Sequence, residues 1–545
     1  MGKIRCIRLI LAIIYGVVIS SVLYGQKAVY DPNISADIYR NPIIHADYSD
    51  PDVVRVGEDF YMVSSSFSNF PGLPILHSRD LVNWEIIGHA CQEYPDVSFA
   101  VPHHGDAIWA PSIRYHNGEF FIYFGDPDRG VYMTKAKNAA GPWTPLKLIK
   151  KVVGWIDCCP LWDDDGKAYL VHAYANSRSG VKSILLINEM SPDGEEILGT
   201  STLVFNGQKD HPTCEGPKLY KRNGYYYIFT PAGGVATGWQ TVLRSKNIYG
   251  PYEDKIVLEQ GSTVINGPHQ GAWVDTPSGT DWFVHFQDKG TYGRVVLLEP
   301  MTWQEDWPVI GKDIDENGIG EPLIIHEKPI KGKSTLVPQT SDNFEGDQPG
   351  LQWQWQANPS SDWYEQKQGK LVLKGLGHPP LQNLWMMPNL LMQKFPAPQF
   401  AATTEVSIQG GEKGDEVGLI VFGLDYSRIS LKKISARKYQ IVLYKCHQAD
   451  KGKPEEIVSE ISVPQNHAYF RVVVKEASRK STELPKASCQ FQYSFDGEQF
   501  YDLGEPLLAK EGKWVGAKAG VYALGSKKLN AAFSSFDIDK IPMEK

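Results

Sequence analysis

Along this chain apolar positions alternate with polar ones in short runs, and the runs repeat. Five segments share one plan: an apolar strand, a turn with a glycine, then an aromatic-rich strand. They run from Asp50 to Val63, Trp109 to Tyr123, Asp157 to Val171, Glu215 to Phe229 and His269 to His285. Their first residues lie 59, 48, 58 and 54 positions apart. Alternation with a period of two marks half-buried strands, and Asn-Gly or Asp-Gly between them marks a tight hairpin. Asn117-Gly118, Asp165-Gly166 and Asn223-Gly224 supply those turns. Further strand-like pieces, such as Ile75 to Asp80 and Thr241 to Lys246, fill the intervals. A period near fifty residues built from hairpins predicts a β-propeller, here of five blades over residues 40–325.

After a stretch bearing Gly, Lys and Pro to about Gln339, the pattern becomes a series of separate strands. Lys370 to Lys374, Phe400 to Ile408, Glu416 to Gly423, Tyr439 to Tyr444, Tyr469 to Val474 and Ala517 to Ala523 carry it. Regular strands broken by turns predict a β-sandwich over residues 340–545. The expected class is all-β.

The amino terminus differs from both. Lys3, Arg5 and Arg8 precede an apolar run from Leu9 to Val18 that trails into small residues near Gly25. Residues 1–25 read as a secretory signal peptide, with an uncleaved anchor as the alternative. An exported protein, periplasmic or extracellular, follows, with no stable membrane insertion once the leader is removed. The net charge is −8 over 545 residues, or −11 without the three leader bases. No basic run provides the footprint that nucleic acid or an anionic membrane requires. The six cysteines beyond the leader, Cys91, Cys158, Cys159, Cys214, Cys446 and Cys489, are too sparse for a disulfide scaffold and contain no CxxC pair. A Cys446–Cys489 bridge and a vicinal Cys158–Cys159 bridge stay open beside buried thiols.

Innermost propeller strands surround the axis, so the heads of the five repeats converge on one funnel. Those heads are Asp50, Trp109, Asp157, Glu215 and His269, seven to ten residues before the turn glycine. Three carboxylates brought together oppose one another unless they serve chemistry or a cation. Taken alone each is an ordinary strand-end residue; at equivalent points of a repeat they form a site. Carboxylates without a nucleophilic Ser or Cys motif, a phosphate loop or a dinucleotide fingerprint point to glycoside hydrolysis, with one acid, one base and one modulator.

The run from Asn41 to Gly311 resembles glycoside hydrolase family 43, five-bladed propeller enzymes that act on xylans and arabinans. Asn41-Pro-Ile-Ile-His-Ala-Asp-Tyr-Ser-Asp-Pro-Asp is similar to the family's opening motif, which makes Asp50 the general base and Asp52 the decoy. Asp157 matches the modulator of acidity, and Glu215, in Glu-Gly-Pro, matches the general acid. His269, in Gly-Pro-His-Gln-Gly, matches a histidine that in many members reaches a central calcium ion directly or through water; the alternative is a satisfied core histidine. The resemblance implies no organic cofactor. It also implies a sugar pocket walled by Trp109 and Phe67, with Arg294 holding the terminal sugar. Asp157-Cys158-Cys159 and Ile156 depart from the pattern of many relatives and leave the choice of sugar open. The second half is similar to the lectin-like, concanavalin-type jelly roll that follows the propeller in many xylosidases of the family. The activity implied is inverting, exo-acting release of β-D-xylosyl or α-L-arabinofuranosyl units from xylan- or arabinan-derived oligosaccharides. An endo-acting arabinanase and a non-catalytic sugar-binding propeller are the rivals. The oligomeric state is not legible.

Overall fold

A computed structural model describes residues 28–334, 336–377, 381–478 and 483–541. The leader at 1–25 lies outside the described residues. Five four-stranded antiparallel sheets follow one another along the chain. Their innermost strands are Asp52–Val56, Trp109–His116, Trp155–Trp162, Lys218–Arg222 and His269–Asp275, so the predicted hairpins are the inner halves of blades 1 to 5. The second strands read as continuous buried runs, such as Glu119–Asp126, because each blade is covered on both faces by its neighbours. In the turns Asn117-Gly118 and Asn223-Gly224 all four residues have positive φ, between 48° and 82°. That is the type I′ geometry these dipeptides favour.

Among the described residues no strand is exchanged between the first and last blades, so other contacts close the ring. Arg55 of blade 1 donates to Asp275 of blade 5, with Nη2–Oδ2 at 2.6 Å. Ile38–Arg40 pairs with Ile325–Glu327, and Asn41 donates to Leu298 O and Glu299 Oε1 on blade 5. The entering chain is thus strapped across the closing blade.

Two sheets form the second domain. The larger includes Phe400–Gly410, His467–Glu476, Ala487–Ser494 and Leu529–Lys540. His467–Glu476 alternates between half-exposed and buried residues until its exposed last residue, as a sheet with one face on a core must. The smaller includes Glu416–Phe422, buried at every position. Its inner face meets the core of Leu419, Phe470, Phe533 and Phe536; its outer face is covered by Leu384, Trp385, Met387 and Leu390.

That cover also docks the domains: Trp385 stacks on His104 of the propeller with ring centroids 3.8 Å apart. Phe70 and Trp355 exchange backbone hydrogen bonds at 3.0 and 2.6 Å. Trp353, Trp355, Trp363 and Trp385 are all buried in packing. The six cysteines are buried free thiols, Cys158 and Cys159 included.

Candidate active site

One backbone device builds the site. At the head of each innermost strand a single residue has positive φ: Asp50 (55°), Ala110 (33°), Asp157 (60°), Gly216 (60°) and Gln270 (42°). In blades 2, 3 and 5 the pairing register shifts at the same place. Such a bulge re-aims side chains at the end of a strand, and for a non-glycine residue it costs about 1–3 kcal/mol. The five head residues are therefore not strictly equivalent. Asp50 and Asp157 sit on the kink, whereas Trp109, Glu215 and His269 precede it by one. In blade 4 the kink residue is glycine, and a Cβ on Gly216 would stand 2.9 Å from Gln270 Cδ, so the Gln270 side chain would have to shift.

Asp50 is 4% exposed. Its Oδ2 accepts from Ser65 Oγ at 2.5 Å and Ser49 Oγ at 3.2 Å, and Arg294 Nη1 donates to Oδ1 at 3.2 Å. Asp157 Oδ2 accepts the Gly216 N–H at 2.8 Å, tying the Asp157 strand to the residue after Glu215. Burial pushes Asp157 up to about 6, the Asp50 charge adding to it against the Gly216 hydrogen bond. Glu215 keeps 29% of its side chain open to solvent, yet protein surrounds the carboxyl at the foot of the funnel. Burial, then the Asp157 charge, push it up to about 8, and Arg294 offsets only part. Asp52 is spent elsewhere: fully buried, its Oδ2 accepts from Ile113 N and Arg114 Nη1, each at 2.7 Å.

Phe67, Trp109 and Arg294 lie around one cluster that also includes Trp514. Phe67, 3% exposed, packs edge-on behind Trp109 at 6.2 Å. Trp109 donates its indole N–H to Gly105 O, and Arg178 lies 5.5 Å over its ring. Arg294 Cζ lies 4.9 Å over Phe286 and 5.9 Å over Trp514. Trp514 belongs to the β-sandwich, is 49% exposed, and meets Trp109 edge to face at 6.2 Å. The sequence reading missed it; its signal was an aromatic between glycines in Gly512-Lys-Trp-Val-Gly516.

Two positioning residues were also missed. Ser65 donates to Asp50 while accepting from Ala110 N at 2.7 Å, which locks the Asp50 carboxylate to the kink beside Trp109. Asp47 accepts from Arg294 N and from Gly516 N, both at 2.9 Å, so one carboxylate holds the arginine and the Trp514 loop together. A cleft of about 1260 Å³ lined by Asn266, Gln287, Gln399 and Glu476 contains none of these carboxylates. Charge, not volume, locates the chemistry.

Comparison with known proteins agrees with this geometry. The family model described as glycosyl hydrolases family 43 matches residues 39–308, and that of the beta xylosidase C-terminal concanavalin A-like domain matches residues 341–539. A Xylanibacter ruminicola protein provisionally named a beta-xylosidase is 42% identical over 88% of this chain and 85% of its own. The chain belongs to glycosyl hydrolase family 43. The non-reducing end alpha-L-arabinofuranosidase BoGH43B of Bacteroides ovatus is 28% identical over 97% of both chains. The crystal structure of the family 43 protein BlXynB from Bacillus licheniformis, as a single mutant, shares the fold with a TM-score of 0.80 at 24% identity. It covers 92% of this chain and 100% of its own.

The calcium implied for this family 43 chain can be tested against its residues. His269 is fully buried, neither ring nitrogen has a hydrogen-bond partner, and Nε2 lies 3.8 Å from Glu215 Oε1. Burial, with Arg294 and His285 nearby, pushes it down to about 3, so it is neutral and free to accept from water. Calcium, however, takes six to eight oxygen ligands. Among the described residues no group of three or more His, Cys, Asp or Glu side chains converges to supply them. These side chains build no calcium cage.

Proposed function

We propose that the protein is an exported, inverting, exo-acting glycosidase that removes terminal β-D-xylosyl or α-L-arabinofuranosyl units from xylan-type chains. The observation that carries this is the contrast within the site. Glu215 is held protonated at neutral pH, while Asp50 is oriented by Ser65, Ser49 and Arg294. A protonated carboxyl beside a glycosidic oxygen is a general acid, and an oriented carboxylate facing it is a general base.

In the reaction, Asp50 takes a proton from water, the water oxygen forms a bond to the anomeric carbon, and the bond to the leaving oxygen breaks. Glu215 gives that oxygen its proton. The sugar leaves inverted, with Asp50 protonated and Glu215 ionised, and exchange with solvent restores both. Asp157 fixes Glu215 through the Gly216 N–H and keeps its proton affinity high. Trp109 supplies a flat face for the sugar ring. Trp514 stands over the same pocket, which favours a chain end over the middle of a polymer. The relatives' names supply the two sugars, and the leader supports export.

The test compares initial rates on aryl β-D-xyloside and aryl α-L-arabinofuranoside, with Asp50→Ala as the blank and product anomers followed by NMR. Turnover of either sugar with an inverted first product is expected. A retained anomer would overturn inversion. A folded sample inert on both would overturn the exo reading.

A further inference from the structure

The axis beneath the catalytic heads is filled by charged side chains of the chain itself. Two residues past each kink stand Asp52, Ser112, Cys159, Lys218 and Ala272, every one fully buried. Lys218 extends from blade 4 to blade 2, donating from Nζ to Pro111 O and Ser112 Oγ, both at 2.9 Å. Blade 3 lies between those blades in the ring, so the ammonium reaches into the central channel. Arg114 of blade 2 does the same further along. Its guanidinium donates to Asp52 of blade 1 at 2.7 Å and to Cys159 Sγ of blade 3 at 2.9 Å, and lies 5.1 Å over Tyr220 of blade 4. Touching three other blades places it in the channel too.

We propose that Lys218, with Arg114 behind it, is the resident cation of the channel. Its ammonium does the positioning that a divalent ion would otherwise do, and the protein works without one. Arg114 is paired with Asp52, so it is the Lys218 ammonium, held by the neutral oxygens of Pro111 and Ser112, that repels a further cation where water is excluded. Lys218 opens the innermost strand of blade 4, three residues after Glu215, and its grip on Pro111 and Ser112 fixes that strand against the one that begins at Trp109. Asp157, tied to Gly216 between them, feels the Lys218 charge. Lys218 is thus a positioning residue for the acid and its modulator, and the proposal rests on the roles given above to Glu215 and Asp157.

Melting curves and initial rates of the full chain, stripped with chelator and then given calcium, form the first arm. The melting temperature should not move, and the rate should stay within about two-fold, because the cationic position is already filled. A saturable calcium-dependent rise in melting temperature would overturn the proposal, and it is readable even if no glycoside is turned over. The second arm is Lys218→Met, close in length but neutral. It should lose kcat about ten-fold or more with KM within about three-fold, since the acid is misplaced and the sugar wall is not. In Lys218→Ala, added methylammonium should restore part of the lost kcat where sodium does not. Wild-type kcat in folded Lys218→Met would overturn the proposal. Should neither variant fold, the chelation arm on the unaltered chain still decides.

Discussion

Two buried glutamates, one in each domain, are treated in opposite ways. Glu416 in the sandwich is 7% exposed. It accepts from Arg428 Nη1 at 2.5 Å, Ser430 Oγ at 2.9 Å and Tyr444 OH at 2.9 Å. Burial pushes it up, but Arg428 and Lys432 outweigh that and hold it down to about 2. Arg428 is shared with Glu455 through two bonds of 2.6 Å. In the funnel, burial and then the Asp157 charge push Glu215 up, His269 is neutral, Arg294 offsets only part without a direct bond, and it stays protonated to about 8. Burial alone does not mark a site. A buried acid with its cations beside it is structure, whereas one left among other acids is poised to give up a proton.

Asp50→Ala should widen that contrast most. Turnover of aryl glycosides should fall about 10⁴-fold, while Asp52→Asn should lower the melting temperature and keep kcat in the folded fraction. Equal losses from the two would erase the distinction between the aspartates. Next comes Arg428→Met, which removes the cation shared by Glu416 and Glu455 and leaves Glu416 with Lys432 alone. Urea unfolding should show a loss of roughly 3–5 kcal/mol with kcat unchanged in folded protein. A folded variant with impaired kcat would mean that the sandwich network reaches the site.

The pH profile is third. The acid must hold its proton, so kcat/KM on a poor leaving group should decline above pH about 8, close to ten-fold per unit. Glu215→Gln should abolish that limb and be spared most on activated aryl leaving groups. The smallest effect is on stability. With its folded value raised above the ordinary 4.5, Glu215 takes stability away as pH rises from there to about 8, and the whole penalty remains above that. Glu215→Gln escapes it, so its melting temperature should exceed the parent's by about 2 °C or more at pH 9 and match it at pH 4. A constant difference across pH would show that ionisation is not the cause.

Much of this was legible in the chain. The repeat gave five blades because each hairpin carries its own turn dipeptide and alternation, which are local properties. The Asp50, Asp157 and Glu215 convergence followed from the repeat, since equivalent strand heads must meet at the axis. What local pattern could not show was the kink: positive φ at Ala110 and Gln270 has no sequence signature, and it shifts which residue of each head faces the funnel. Asp52 and Asp50 look alike in Asp-Pro-Asp, and only the neighbouring blade's Ile113 and Arg114 separate them. Trp514 lies more than 400 residues from Trp109 and joins it solely because the sandwich docks through Asp47, Phe70 and His104. Periodicity, turn chemistry and charge along the chain thus determined the architecture and the candidate acids. Which of those acids keeps its proton, and which cation fills the axis, depended on side chains brought together from different blades. Burial and charge act through space rather than along the chain.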